Sequence, residues 1–366
     1  MAGALFIGLM SGTSLDGVDV ALVQFNEPQK PHVLQTHFLA YPPELRTQIL
    51  ALQHPTENEL ETTALMANTL SSLYADAVNQ LLAIVALFPN DISSIGCHGQ
   101  TIRHRPELGF TLQIGNPALL AELTGITVVA DFRSRDIAAG GQGAPLVPAF
   151  HKAIFAHPIL NRAVINIGGI ANVTYLSSSS ELIGFDSGPG NMLLDAWIKQ
   201  HKNLNYDANG AWASTGAIIA PLLSAMLAEP YFALTPPKST GRDLFNDAWL
   251  SHHLAATNYR PQDVACTLVS LTAHSIYNAL QHHCRDVDEV YLCGGGAHNA
   301  LLVKQLQYLL GDKKVETTDK LGIGVDWVEA IAFAWLAELC LNQQTASLPE
   351  VTGAKGARIL GAIYQH

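Results

Sequence analysis

Charged side chains are scarce in this 366-residue chain, where Asp, Glu, Lys and Arg make up 14 % and hydrophobic residues 48 %. This balance excludes intrinsic disorder, which needs high charge and low hydrophobicity. Basic residues are the scarcer sign, with 20 Lys and Arg against 31 Asp and Glu and a formal net charge of −11. The chain therefore lacks the basic character expected of a nucleic-acid partner. Its length predicts about two domains.

Cysteines are also few, and their number and spacing argue against disulfides. The five cysteines are Cys97, Cys266, Cys284, Cys293 and Cys340. An odd number without CxxC spacing predicts reduced thiols and a cytoplasmic protein. No Lys or Arg precedes Lys30, so the apolar run from Ala4 to Met10 lacks the positive region of a secretory signal and is predicted to be a strand. Other apolar runs, such as Leu81 to Phe88, are too short to cross a bilayer.

Several catalytic signatures are missing from the sequence. Without GxxxxGK[ST] or an HRD and DFG pair, the chain is neither a P-loop enzyme nor a protein kinase. A serine hydrolase has no support because GxSxG is absent. Fifteen His residues invite a metal site, but without HExxH or paired Cys/His spacing a metal hydrolase remains a minor alternative.

Apolar strands alternate with helical patterns along the chain, which predicts an α/β fold with mostly parallel sheets. Each half nevertheless opens with strand, turn and strand, first in ALFIGLMSGTSLDGVDVALVQF and again in RAVINIGGIANVTYL. Such hairpins imply an antiparallel pair in each sheet. We therefore expect two related lobes with mixed sheets that face each other across a cleft. The predicted boundaries are 1–135 plus about 346–366 for one lobe and 136–345 for the other.

The turn of the first hairpin is dense in Gly, Ser and Thr. Backbone amides and hydroxyls in such a turn can bind phosphate, and Asp16 and Asp19 could hold Mg²⁺ directly or through water. An ordinary hairpin turn is the alternative. The predicted phosphate-binding residues are Gly12, Thr13, Ser14, Leu15, Asp16, Gly17, Val18 and Asp19.

Two later glycine turns could grip the same polyphosphate. The motif NIGGIAN contributes Gly168, Gly169 and Asn172, and CGGGAHN contributes Gly294, Gly295, Gly296 and Asn299. The second of these also resembles a degenerate dinucleotide fingerprint. Because it lies late in the chain, a Rossmann reading is disfavoured.

The motif GFDSGPGN places Asp186 after an apolar run and before a predicted helix that begins near Asn191. A carboxylate there can act as a general base. Its alternative role is to cap the helix, which the five-residue separation from Asn191 weakens.

Polar residues at the ends of two predicted strands suit a polyhydroxy ligand with an amide or carboxylate, and two residues of GFDSGPGN complete this candidate substrate site. The predicted substrate residues are His98, Gln100, Arg133, Asp136, Gly188 and Asn191. The segment PPKSTGRDLFN adds two cations, Lys238 and Arg242, which either contact substrate or phosphate or belong to a solvated turn.

Taken together, the quoted motifs with CHGQTIRHRP, ADFRSRDIAAGGQGAPLVP, STGRDLF and VTGAKGARILGAIY resemble the anhydro-N-acetylmuramic acid kinase family. The resemblance runs from about residue 5 nearly to the end of the chain. It implies the actin-like, ribonuclease H-like fold of the sugar kinase, Hsp70 and actin superfamily, with ATP and Mg²⁺. It also implies that Asp186 activates the water that opens 1,6-anhydro-N-acetylmuramic acid, while O6 takes the γ-phosphoryl group, in peptidoglycan recycling.

Two other functions stay open at this point. An ordinary hexose or amino-sugar kinase would use the same base on an existing hydroxyl, and a non-catalytic sensor would bind ATP and sugar without turnover. A repressor or chaperone of the superfamily is disfavoured, since we expect neither a preceding helix-turn-helix nor a following client-binding domain. No nucleic acid or membrane partner is expected, and a homodimer is left open.

Overall fold

The computed structural model describes residues 3–12, 14–26, 30–55, 57–179, 182–255 and 257–366, with only the backbone of Asn26. Backbone contacts divide the chain into two compact units. Unit 1 comprises Met1–Ile154 and Trp327–His366, and unit 2 comprises Phe155–Asp326. None of the described helices combines the length and the apolar character needed to span a membrane.

The strands of the first part of unit 1 are β1 (Leu5–Met10), β2 (Gly17–Asn26), β3 (Lys30–Ala40), β4 (Ile92–Cys97), β5 (Gln100–Arg105), β6 (Phe110–Ile114) and β7 (Val128–Ala130). Its helices are α1 (Pro43–Leu52), α2 (Glu59–Val85), α3 (Pro117–Thr124), α4 (Ser134–Ala138) and α5 (Val147–Phe155), the last of which reaches the unit boundary.

The strands of unit 2 are β8 (Arg162–Ile167), β9 (Ile170–Leu176), β10 (Leu182–Pro189), β11 (Glu289–Cys293) and β12 (Lys314–Thr317). Its helices are α6 (Met192–Lys202), α7 (Ala220–Leu227), α8 (Asp247–Leu254), α9 (Pro261–His283) and α10 (Ala300–Leu310). The chain then returns to unit 1 with α11 (Val328–Leu341), α12 (Pro349–Thr352) and β13 (Ala362–Tyr364).

The two main sheets repeat one strand order. In unit 1 the order is β3-β2-β1-β4-β7-β13, and in unit 2 it is β10-β9-β8-β11-β12. The first five strands of unit 1 correspond in this order to the five strands of unit 2, and β13 is an additional edge strand. Each unit opens with an antiparallel hairpin, β1 with β2 or β8 with β9, and its first strand also pairs in parallel with a later strand, β4 or β11. The predicted α/β class with mixed sheets and duplicated hairpins is therefore confirmed.

Helix α11 packs directly on the sheet of unit 1 because two strands carry glycine where the helix crosses. A Cβ atom on Gly8 would overlap the carbonyl oxygen of Ala330, and one on Gly96 would overlap that of Phe333. The predicted lobe boundaries assigned residues 136–154 and 327–345 to the second lobe, whereas backbone contacts group them with unit 1. For α11 the physical reason is this backbone-to-backbone packing on β1 and β4.

Candidate active site

Asp186 lies in β10, opposite Asn172 of β9. The pairing register shifts between Asp186 and Gly188, so the strand carries an irregularity directly after the carboxylate. Bulges of this kind re-aim side chains and occur often beside active sites. Gly188 has a φ of 154°, and a Cβ there would lie 2.7 Å from the ring of Phe232, so the bend depends on glycine.

The Asp186 carboxylate accepts a hydrogen bond from the backbone N–H of Thr240 at 3.0 Å. Burial raises the pKa of Asp186 to about 6, against the opposing effects of the Thr240 N–H and the Lys238 charge. The group is therefore ionised at neutral pH and still basic enough to take a proton. Helix α6 begins at Met192 with Asn191 as its cap residue, so the alternative that Asp186 caps this helix is not the arrangement seen.

Lys238 is buried, with 9 % of its surface exposed, whereas Arg242 is exposed. The ammonium group lies over the ring of Tyr231, 4.9 Å from its centroid, and 5.8 Å from that of Phe185. The solvated-turn alternative is therefore wrong for Lys238. Thr240 was missed as a partner of Asp186, because no sequence signal links two residues 54 positions apart.

The three glycine motifs of unit 2 meet at the end of β8. The N–H of Gly190 donates to the carbonyl of Gly169 at 2.9 Å, and that of Asn191 donates to the carbonyl of Gly168 at 2.8 Å. A Cβ on Gly294 would overlap the side-chain oxygen of Asn166, and one on Gly296 would overlap Ile167. The two turns of unit 2 that are predicted to bind phosphate thus form one cluster with the GFDSGPGN turn, packed closely around Asn166 and Ile167.

Asn191 and Asn299 have clear structural partners. The side-chain amide of Asn191 donates to the carbonyl of Ile167 at 3.2 Å, which ties the start of α6 to the glycine cluster. The side-chain oxygen of Asn299 accepts from the N–H of Leu302 at 3.1 Å and so caps α10. Helix α10 begins six residues after Gly294, with a short 3-10 turn between them. Asn299 is therefore a helix cap beside the glycine cluster.

In unit 1 the first hairpin turn is stabilised by hydrogen bonds within the turn and from Gln100. Thr13 lies outside the described residues. The hydroxyl of Ser14 donates to the exposed carboxylate of Asp16 at 2.6 Å, and Leu15 is buried with a φ of 56°. Gln100, itself fully buried, donates its side-chain amide to the carbonyl of Gly12 at 3.1 Å. Gln100 therefore supports the turn predicted to bind phosphate.

The remaining residues of that turn continue into β2. Gly17 allows a close approach of β3, because a Cβ there would overlap the carbonyl oxygen of Leu39. Val18 is fully buried, and Asp19 is half-buried opposite Met10 of β1. Both predicted Mg²⁺ ligands thus lie within the first turn and the start of β2.

His98 and Arg133 form a buried pair in the same unit. Arg133 donates from Nε and from a terminal nitrogen to His98 Nε2, at 3.2 and 2.9 Å, and from its other terminal nitrogen to the carbonyl of Gly143 at 2.8 Å. Burial, and then the Arg133 charge, lower the pKa of His98 to about 3, so the imidazole is neutral. Burial also lowers the pKa of Arg133 to about 10, against the opposing charge of Glu329.

Asp136 is completely buried and bonded on both oxygens. One oxygen accepts from the N–H of Gly143 at 2.8 Å and the other from the hydroxyl of Thr352 at 2.8 Å. These bonds tie the GGQG loop to the C-terminal segment, so the visible role of Asp136 is to shape the loop that also receives Arg133.

The predicted site residues therefore fall into two sets. Unit 2 brings together Asp186, Asn172 and the glycine cluster, while unit 1 brings together the first turn with Gln100, and His98 with Arg133. Within the described ranges, no group of three or more His, Cys, Asp or Glu residues is placed to hold a metal. Mg²⁺ needs only one or two carboxylates beside phosphate and water, which the donors Asp16 and Asp19 fit.

The repeated strand order and the duplicated hairpins define a two-unit α/β protein, and its glycine turns and strand carboxylate are those expected of a sugar kinase. Residues 4–366 match the sequence model of the family described as anhydro-N-acetylmuramic acid kinase. The chain belongs to the anhydro-N-acetylmuramic acid kinase family. Membership implies ATP and an anhydro amino sugar as its substrates.

Curated relatives are similar over nearly the whole length. An anhydro-N-acetylmuramic acid kinase of Bordetella pertussis is 55 % identical over 366 residues, covering 99 % of this chain and 96 % of the relative. That of Thiobacillus denitrificans is 52 % identical over 361 residues, covering 98 % and 96 %. Among solved structures, an activator of the 2-hydroxyisocaproyl-CoA dehydratase from Clostridium difficile with bound ADPNP is similar at a TM-score of 0.47 and 12 % identity, covering 90 % of this chain and 92 % of its own.

Proposed function

We propose that this sugar kinase opens the 1,6-anhydro bridge of 1,6-anhydro-N-acetylmuramic acid and phosphorylates O6 in one coupled reaction, with Asp186 as the base. The supporting observation is the Asp186 carboxylate itself, which is held by the Thr240 N–H and has a pKa raised by burial to about 6. The product, N-acetylmuramic acid 6-phosphate, belongs to peptidoglycan recycling.

The proposed reaction couples the attack of water at C1 to phosphoryl transfer to O6. Asp186 takes one proton from water, whose oxygen bonds to C1 as the C1–O6 bond breaks. The freed O6 attacks the γ-phosphorus of ATP, and the bond to the β,γ-bridging oxygen breaks to release ADP. Phosphoryl transfer depends mainly on positioning and charge stabilisation, so the protein needs no covalent intermediate.

The glycine turns are proposed to bind the phosphates of ATP. A Cβ on Gly12, Gly168 or Gly169 would meet its nearest atom at 3.6, 3.7 or 3.8 Å, so there is open space beside these glycines and no side chain of their own to hold a phosphate away from backbone N–H groups. Asp16 and Asp19 are proposed to hold Mg²⁺, which when bound neutralises phosphate charge. His98, Gln100, Arg133, Asp136, Gly188 and Asn191 are proposed to shape the sugar site, with neutral His98 and cationic Arg133 suited to hydroxyl and carboxylate groups.

We propose a cytoplasmic location for the reaction. The five cysteines are buried and form no disulfide with one another, as expected for a protein kept in a reducing compartment where ATP is available.

Replacement of the base tests its role. For Asp186→Asn we expect turnover to fall about 10²–10⁴-fold, because the amide cannot accept the proton, with ATP affinity retained. Steady-state kinetics and calorimetric titration with ATP measure the two quantities. Asp319→Asn is the matched control, since Asp319 is an exposed carboxylate of the same unit. Near-normal turnover of Asp186→Asn contradicts the assignment.

Isotopic water separates the proposed reaction from an ordinary hexose kinase. With the anhydro sugar in ¹⁸O water, we expect one label at C1 of the product, because water supplies that oxygen. Mass spectrometry of the phosphorylated sugar measures it. An unlabelled product would favour transfer to a pre-existing hydroxyl, and binding of ATP and sugar without turnover would favour a sensor.

A further inference from the structure

The amine of Lys238 lies among aromatic rings and carbonyl groups, in a segment that is hydrogen-bonded to Asp186. Besides the rings of Tyr231 and Phe185, its amine contacts the carbonyl oxygens of Tyr231 at 3.4 Å and Phe232 at 3.3 Å. Withdrawing an ammonium group from water costs free energy, which carbonyls and ring faces recover only in part. A buried cation in such a setting calls for a role beyond packing.

The segment that carries Lys238 is tied to Asp186 at its backbone and its side chain. The N–H of Asp186 donates to the carbonyl of Lys238 at 3.1 Å, and the N–H of Thr240 donates to the Asp186 carboxylate at 3.0 Å. The hydroxyl of Tyr231 donates to the carbonyl of Asp186 at 2.7 Å. These bonds tie the Lys238 backbone to Asp186, and they also tie to Asp186 the Tyr231 ring over which the lysine amine lies.

For both Asp186 and Lys238, burial shifts the pKa in one direction and the charge of the other residue shifts it back. Burial raises the pKa of Asp186, and the Lys238 charge lowers it. Burial lowers the pKa of Lys238, and the Asp186 charge raises it. Without the cation, burial would act on the carboxylate with less opposition, and more of it would be protonated at neutral pH.

Two other titratable groups face this pair. Burial, and then Asp186, raise the pKa of the Tyr231 hydroxyl, which therefore stays neutral. His283 of α9 packs edge-on against Phe185, with the two ring centroids 5.3 Å apart. Burial is the largest cause that lowers the pKa of His283, followed by the charges of Lys238 and His282. Neither group carries a charge at neutral pH that could replace that of Lys238.

We propose that Lys238 is a positioning residue whose fixed charge keeps the Asp186 carboxylate ionised and ready to accept the proton of water. The inference rests on the proposed role of Asp186 as base. It adds a residue that acts through Asp186, and its charge is the property that matters.

The test is the pH dependence of turnover in Lys238→Met. We expect the acid limb of the kcat profile to move about one pH unit upward, because the carboxylate loses its cation. Turnover at pH 6 should then fall about fivefold relative to the wild type, and the loss should shrink as the pH rises. Lys238→Arg, which keeps the charge, should leave the limb where it is. Lys238→Gln, which can still donate to the carbonyls, provides the same test if the methionine variant does not fold.

Two control variants, together with Asp186→Asn, show whether a shift of the acid limb is specific to Lys238. Lys202→Met removes another amine that lies over a ring, 5.6 Å from the centroid of Trp212, and should leave the limb unmoved. His283→Asn should also leave it unmoved, which excludes this imidazole as its source. The inference is overturned if a neutral variant of Lys238 folds and its kcat profile keeps the acid limb of the wild type, whatever its turnover. If Asp186→Asn keeps turnover and the limb, the proposed base itself is wrong.

Discussion

A carboxylate that must accept a proton works best when its pKa lies close to the working pH, and burial is the simplest way to raise it. For Asp186 burial is the largest cause of the shift to about 6. The same burial has a consequence for folding. Between the unfolded pKa near 3.8 and the folded value near 6, the native state binds more protons than the unfolded state. Stability should therefore decrease as the pH rises through this range.

Asp186→Asn should be more stable than the wild type at pH 7, by up to about 3 kcal/mol, since the neutral amide avoids burying an ionised group. The difference should shrink at pH 4, where the wild-type carboxyl is protonated in the native state. Urea unfolding at both pH values measures it. An equal or lower stability of the variant at pH 7 would contradict the burial argument.

The sequence identified Asp186 as a candidate because it follows an apolar run and precedes a glycine turn. It could not identify Thr240 or the orientation of Lys238, since both depend on a segment that folds back onto β10 from more than 50 residues away. Local patterns report periodicity and turn chemistry, whereas such contacts are set by tertiary packing.

At the scale of elements, the local signals were informative. Asn followed by Pro is typical of a helix start and Gly of a helix end, and α3 spans Pro117–Thr124 between Asn116 and Gly125. Strand β3 was not predicted. It is an edge strand whose residues are exposed or half-buried, and none of them is buried. Its sequence therefore carries little apolar signal.

The contact between α11 and the sheet gives an element-scale prediction. Gly8→Ala should lower the free energy of unfolding by roughly 3 kcal/mol or more, because the added methyl group must displace the backbone of α11 at Ala330. Thermal and urea unfolding measure the effect. Gly115→Ala is the matched control, because a Cβ there meets its nearest atom at 3.9 Å. Equal stability of the two variants would show that the helix can shift without loss.

At the scale of the molecule, the sequence predicted two related lobes from the repeated hairpins, and the repeated strand order confirms the relation. The division between them was harder to predict, because no linker is low in complexity. Unit 2 is one continuous segment. Unit 1 consists of two segments, because Trp327–His366, which follow unit 2 in the sequence, belong to it.

This continuity predicts that residues 155–326 fold as an isolated fragment, since they contain a complete five-stranded sheet and its helices. The fragment should show a cooperative thermal transition by circular dichroism. Residues 1–154 alone should not, because they lack α11 and β13. A cooperative transition for the shorter N-terminal fragment would contradict the view that α11 completes the core of unit 1.

The split of unit 1 also bears on how the chain is made. A ribosome releases Gly8 and Gly96 long before it synthesises the helix that packs against them. During translation the continuous segment can complete its sheet first, while the earlier strands wait with one face uncovered. We therefore expect unit 2 to complete its fold before unit 1, although the synthesis of unit 1 begins first.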